Sequence, residues 1–383
     1  MILHIKSLLL IVFYKIFNLF FNKTKTVAKN SLLLIRLDGI GDYVLFRNFI
    51  KLLKNSQRFK NYKITLLGNS LWREIAENFD NKYIDEYIWI NRKKFNSDIL
   101  YCINKLREIT DQGYEIIINP IHSRKFYIDN IVKLINANRK IGSEGDISNI
   151  TGWAKNMSDK YYTQLLEINN KTKFEFYRNK KFFEKLLNRN ININRPYINN
   201  IGQIDSDIKL PNNLAVLFIG GTTDYVDKKW DVKNYARLGQ FLKNKYKYEI
   251  AICGGKSDIK SAKNFNNYFS GEFYNLVGKT NLLELIKILK KCDLLISNET
   301  SAPHLAVAIG NINIFVIGNP RYYGRFSPYP EDIFKNYKLI NSFTYDDNSN
   351  NSENFKPKEH IPSAQNVPFS EVKRYLDNEI PKT

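Results

Sequence analysis

Hydrophobic and polar positions change period abruptly within residues 31–53. Leu32 to Ile35 form a short run that is apolar on both faces, as a strand buried in a parallel sheet must be. Val44, Leu45, Ile50, Leu52 and Leu53 follow near helical spacing. Between the two periods, Gly39 and Gly41 permit a sharp turn and leave N–H groups unshielded at the start of the helix. The stretch predicts a strand, a glycine turn and a helix. Asp42 stands at that helix N-terminus, at the carboxyl end of the strand, where open α/β sheets hold their ligands. A carboxylate at this position also serves as a plain helix cap.

The alternation continues. Residues 64–67, 87–90 and 115–119 read as further buried strands, 72–79, 99–110 and 126–136 as helices, and the aromatic-rich 153–183 as mostly helical. Residues 190–213 lose periodicity and collect Asn, Pro196, Gly202 and Pro211, which marks a domain junction. A second unit then repeats the pattern, with strands at 214–219, 249–253, 293–297 and 312–317 and helices at 232–245, 257–269, 282–291 and 304–309. A polar, Asn- and Ser-rich stretch over 341–366 reads as a mobile crossing segment, and a last helix over 369–379 is expected to pack back on the first domain. The expected divisions are 1–29, 30–200, 201–345 and 346–383.

Composition narrows the function. A chain of 383 residues with 43% apolar content supports two cored domains. A formal charge of +20 invites a nucleic-acid reading, but the lysines are scattered and no basic-aromatic module such as an RNP motif is present; nucleic-acid binding stays as the alternative from another class. Cys102, Cys253 and Cys292 lack pairwise spacing, which argues for a reducing compartment without a disulfide framework or zinc site. At the N-terminus, His4, Ser7, Lys15, Asn18 and Asn22 share one helical face, with Leu, Ile and Phe around the rest. An uninterrupted span of about 20 apolar residues is lacking. With Lys23, Lys25 and Lys29 following, residues 1–29 read as an amphipathic segment lying on an anionic membrane surface, against the alternative of a helix packed on the domain.

Three loops carry candidate chemistry. Pro120, Ile121, His122, Ser123 and Arg124 follow the strand at 115–119, at the same sheet edge as Asp42 if the strands are parallel. Gly220, Gly221, Thr222 and Thr223 follow the strand at 214–219, with Lys228 two residues before Trp230; backbone N–H, threonine hydroxyls and a lysine suit a phosphate. Glu299, Thr300 and Ser301 turn the strand at 293–297 into a helix that carries His304. Two competing motifs fail. A dinucleotide fingerprint lacks its third glycine, since Val44 stands there, and Gly68-Asn69 offers no acid to a ribose, which demotes an NAD(P)-dependent sugar-nucleotide dehydrogenase. Asp205-Ser206-Asp207 has metal-binding spacing but no strand leads into it, so it reads as a solvated turn.

Gly41-Asp42, the Thr222-Thr223 segment with Lys228, and Glu299-Thr300-Ser301 with His304, in this order over roughly residues 31–330, resemble glycosyltransferase family 9, the group that includes the lipopolysaccharide heptosyltransferases. The resemblance implies an α/β protein of GT-B fold, two Rossmann-like domains with parallel sheets facing a central cleft, acceptor on the first and nucleoside diphosphate sugar on the second. It implies that Asp42 is the catalytic base. Gly221, Thr222, Thr223, Lys228, Thr280, Glu299, Thr300, Ser301 and His304 would bind the donor, and Arg36, His122 and Arg124 the acceptor. No metal and no cofactor beyond the donor sugar nucleotide are expected, and the reaction would invert the anomeric centre. The acceptor implied is a lipopolysaccharide or other cell-surface glycan at the inner face of the cytoplasmic membrane, with the protein peripheral to it. Departures from the usual family pattern leave the donor sugar and base open: Glu299 stands for Asp, Ser301 for Gly, Lys256 near an expected acid, and residues 319–325 form an unfamiliar loop.

Overall fold

The computed structural model describes residues 11–19, 25–169, 171–203, 208–221, 228–320, 323–342 and 363–380. The chain divides into two compact units between Ile193 and Asn194. In the first unit, β1 (Val27–Arg36), β2 (Lys63–Asn69), β3 (Glu86–Ile90), β4 (Gly113–Asn119), β5 (Ala137–Ser143) and β6 (Gln164–Leu166) form one sheet in the order β3-β2-β1-β4-β5-β6. Every pairing is parallel, with Leu32 opposite Ile64 on one side and Ile116 on the other. Leu32 to Ile35 have no exposed surface. A run apolar on both faces is what a strand with neighbours at both edges and cover on both faces requires.

The second unit repeats the plan with β7 (Leu214–Phe218), β8 (Glu249–Cys253), β9 (Tyr274–Asn275), β10 (Leu294–Asn298), β11 (Asn313–Ile317) and β12 (Tyr337–Ile340), in the order β12-β11-β10-β7-β8-β9 and again all parallel. Both sheets are doubly wound. Their strand order reverses once, between β1 and β4 in the first and between β7 and β10 in the second, and such switch points are where ligands enter open sheets of this kind.

Periodicity misses β6, β9 and β12, which are edge strands, and β5, which lies next to an edge. β5 opens with Ala137, Asn138, Arg139 and Lys140, none of them buried, while β6 and β9 are three and two residues long. None offers an apolar run of readable length. β6 lies inside the stretch expected to be mostly helical, where helix is confined to Gly152–Ser158, a short turn and Glu175–Leu187.

The alternative of an N-terminal helix packed on its domain is realised, and the expectation for the last helix is corrected. Residues 11–19 are helical, and Tyr14 and Phe17 are buried in the first unit's core with Cys102, Leu106 and Ile131, so this helix is docked on its domain. The last helix, Phe369–Glu379, packs within the second unit instead of the first. Its Val372 and Leu376 join Leu242 and Tyr246 in that unit's core, Trp230 Nε1 donates to the Val367 carbonyl at 2.8 Å, and the Tyr246 hydroxyl donates to Asp377 at 2.7 Å. The expected mobile segment falls largely on residues 343–362, outside the described ones. Since Leu376 is fully buried, Leu376→Ala should lower the stability of the second unit by about 2–5 kcal/mol, read as an earlier urea transition for that unit with the first unit's transition unmoved.

Candidate functional site

At the first switch point the β1 end is fixed before any ligand arrives. Asn69 Nδ2 and Trp72 Nε1 both donate to the Asp38 carbonyl, at 2.8 and 3.2 Å. The following helix, Ile40–Val44, is capped by Asp42, whose Oδ2 accepts the Gly39 N–H at 3.1 Å. Asp42 thus fills the cap role that its position suggested, and the cap sets its rotamer while the residue stays half-buried at the sheet's carboxyl edge.

Arg36 and Arg124 are almost wholly inside the domain, 0% and 1% exposed. Arg36 donates to Asn179 Oδ1 at 3.1 Å, pairs with Asp38 at 3.1 Å and lies over the Phe46 ring. Arg124 bonds Asp159 and the Glu144 carbonyl, pairs with Asp129 at 3.4 Å and lies over the Tyr162 ring. Burial raises the Asp129 carboxyl, an effect that Arg124 partly offsets. His122 shares a hydrogen bond with Ser143 Oγ at 3.0 Å, and Ser123 donates to Asp146 at 2.8 Å. The three side chains named from sequence as acceptor ligands are therefore framework of the β1 and β4 loops. Of their partners, Asp38 follows Arg36 by two residues at the β1 end, whereas Asn179, Asp129 and Asp146 are carried by other segments and are not foreseen from sequence.

At the second switch point the central residue is Asn298, the last of β10. Its Nδ2 donates to the Ile219 and Gly220 carbonyls at 3.4 and 3.0 Å, and its Oδ1 accepts from the Trp230 N–H at 2.9 Å and the Tyr235 hydroxyl at 3.1 Å. Around this tie, Lys228 Nζ lies 3.0 Å from Glu299 and Lys229 Nζ 2.8 Å from the buried Asp258. Asp258 also accepts the Gly255 N–H at 2.9 Å, supplying an acid two residues beyond Lys256. Gly220 is required here: a Cβ would stand 3.0 Å from Gly254 Cα and 2.9 Å from the Asp258 carboxylate. Thr300 caps the helix Ser301–Ile309, accepting from the Ala302 N–H at 3.4 Å, and Pro303 falls in the first turn, where its missing N–H costs nothing. Gly221, Glu299, Thr300 and Ser301 are half-buried beside that helix start or the β7 end, whereas Thr280 lies after the marginal strand β9. Thr222 and Thr223, together with Asp205, Asp207 and Arg321, lie outside the described residues. Among the described residues no group of three or more His, Cys, Asp or Glu is placed to hold a metal ion.

His304 faces inward. Its Nδ1 is 2.6 Å from the Tyr329 hydroxyl, and burial pushes the imidazole down to about 4.

Two doubly wound sheets with polar loops at their switch points define an α/β protein built for ligands at strand ends. The model of glycosyltransferase family 9 (heptosyltransferase) matches residues 149–343, and the chain belongs to this family. Lipooligosaccharide heptosyltransferase 2 of Haemophilus influenzae is 28% identical over 101 residues, 25% of this chain; the match spans 29% of that relative's length. Among solved structures, a family 9 glycosyltransferase from Veillonella parvula superposes with a TM-score of 0.66 at 16% identity, covering 92% of this chain and 97% of that one. The E. coli heptosyltransferase WaaC with ADP gives 0.63 at 14% identity, covering 91% and 97%. These likenesses establish the fold as GT-B, two Rossmann-like units with parallel sheets.

The His304 environment makes a pH prediction. Between its usual value near 6.5 and about 4, the unfolded chain binds a proton that the folded chain does not, so stability falls as pH drops through that window and is unaffected above it. The stability difference between the wild type and His304→Gln, from urea midpoints, should shrink from pH 7 to pH 4. A constant difference would count against a neutral, buried imidazole.

Proposed function

We propose that this chain is an inverting, metal-independent glycosyltransferase that moves a sugar from a nucleoside diphosphate sugar to a lipopolysaccharide or other cell-surface glycan. The observation that supports this reading most is the second switch point, where Asn298 holds the β7 and β10 loops together and family motif residues lie beside a helix N-terminus. The donor diphosphate is taken by the N–H groups at the start of the helix Ser301–Ile309, Thr300, Ser301 and the Gly221–Thr223 loop, with Lys228 as counter-charge steered by Glu299. Thr280 and His304 serve the same donor unit. His304 acts by packing against Tyr329.

In the chemical step the acceptor oxygen forms its bond to C1 as the C1–O bond to phosphate breaks. The electron pair leaves with the nucleoside diphosphate, and Asp42 takes the acceptor proton. Arg36, His122 and Arg124 keep the first unit's loops in the shape that receives the acceptor. Charge on the leaving group is met by Lys228 and backbone N–H groups, so neither a metal nor a further cofactor is needed. The reaction is placed at the inner face of the cytoplasmic membrane, with no nucleic acid involved. Among the described residues, no helix is long and apolar enough to cross a membrane.

A panel of sugar nucleotides read by thermal stabilisation tests the assignment directly; at least one should raise the melting temperature, and a flat response to all of them would overturn it. Asp42→Asn keeps a capping side chain, so the fold should survive while kcat falls by about 10²–10⁴-fold and donor affinity holds. Lys228→Ala and Thr300→Ala should instead weaken donor binding, by roughly tenfold for the lysine, because ground state and transition state both need them. Turnover should persist in EDTA. Activity lost on chelation and restored by Mn²⁺ would bring Asp205 and Asp207 forward.

A further inference from the structure

The helix over residues 11–19 has two apolar faces. On one, Tyr14 and Phe17 are 4% and 1% exposed and sit in the first unit's core, and Ile11 packs against the cluster of Phe126, Ile150 and Ala154. The Tyr14 hydroxyl donates to the Tyr127 carbonyl at 3.4 Å, which ties the helix to the one that follows the His122–Arg124 loop. On the other face, Val12, Ile16 and Leu19 are 54%, 51% and 79% exposed. Spaced i, i+4 and i+7, they fall within an arc of about 60°, opposite Tyr14 and Phe17. A surface helix held by one face ordinarily turns polar side chains outward.

We infer that the outward face of this helix, Val12, Ile16 and Leu19 flanked by Lys15, inserts into the interfacial region of an anionic lipid bilayer, with Tyr14 and Phe17 fixing the helix as a rigid platform of the first unit. Charge selects this occupant. No Asp or Glu precedes Asp38 in the chain, whereas Lys6, Lys15, Lys23, Lys25 and Lys29 do, and Lys15 and Lys29 are exposed. Juxtaposing two copies of this face would bring like charges together, while an anionic leaflet complements them. The inference rests on the membrane placement proposed above and gives it a surface. Deleting this helix would strip Tyr14 and Phe17 from the core, so it is part of the first unit's fold.

The test uses the full chain and vesicles without any sugar substrate, so its failure is distinguishable from failure of the transferase reading. Wild-type protein should co-sediment with phosphatidylglycerol/phosphatidylcholine vesicles and not with phosphatidylcholine alone, and added salt should weaken binding. The exposed-face triple variant Val12→Ser, Ile16→Ser, Leu19→Ser should bind at least tenfold more weakly with an unchanged melting temperature. Because the native cysteines are buried, Leu19→Cys offers an accessible thiol, and an environment-sensitive dye there should shift to the blue on vesicle addition. Wild-type-like vesicle binding by the triple variant, an unmoved dye spectrum, or a wild-type dimer that the triple variant dissolves would each overturn the inference.

Discussion

Asn298 uses its whole hydrogen-bonding capacity, two donors and two acceptor positions, on four different partners, and the shape of the second unit's strand-end loops depends on this. The Ile219 and Gly220 carbonyls lie just beyond β7, where ladder partners run out, and a buried carbonyl without a donor costs about 1–3 kcal/mol. By holding these carbonyls with one end and the Trp230 N–H with the other, one side chain closes both ends of the loop between β7 and the next helix. Lys228 and Lys229 immediately precede Trp230, so fixing it also restrains the two lysines beside Glu299 and Asp258. A longer residue would not fit the buried site, and Asp would present an acceptor to two carbonyls.

Legibility in the sequence tracked burial. Central strands such as β1, β4, β7 and β10 bury both faces, so their apolar runs stand out against polar turns. Edge strands such as β6 and β9 satisfy their backbone against a single neighbour and need little hydrophobicity to do so, and β5 beside them pairs with the three-residue β6 only over Ile141–Ser143, leaving its polar first half unburied. The terminal helices show a different gap: periodicity says that Val372 and Leu376 face something, but not which unit supplies it. Tyr14 and Phe17 illustrate the same point, because an aromatic side chain on a helix rich in Ile and Leu reads equally as lipid-facing or core-facing.

Loops at the strand ends were found because glycine, hydroxyl and charged residues cluster there. What those side chains do in the fold was not legible. Arg36, His122 and Arg124 have the composition of a ligand site, yet their partners are Asn179, Ser143, Asp146, Asp129 and Asp159, spread over several elements that come together through sheet order alone. Lys228 likewise reads as an uncommitted cation until Glu299, 71 positions away, is seen beside it.

The two switch points share a topology and solve the same packing problem with opposite chemistry. In the second unit a neutral amide ties the loops and carries no charge into the interior. In the first, guanidinium groups join the neutral Asn69 and Trp72 donors in the tying, and each buried cation must be matched: Arg36 by Asp38 and Asn179, Arg124 by Asp129 and Asp159. Removing one partner from such a set leaves a charge in a poorly polarisable interior, a larger penalty than any single bond is worth. The flat guanidinium also stacks, over Phe46 and Tyr162, so these arginines hold aromatic packing and loop carbonyls at once. A lysine would supply the charge without the stacking or the fixed fork of donors, which is why arginine stands at both positions.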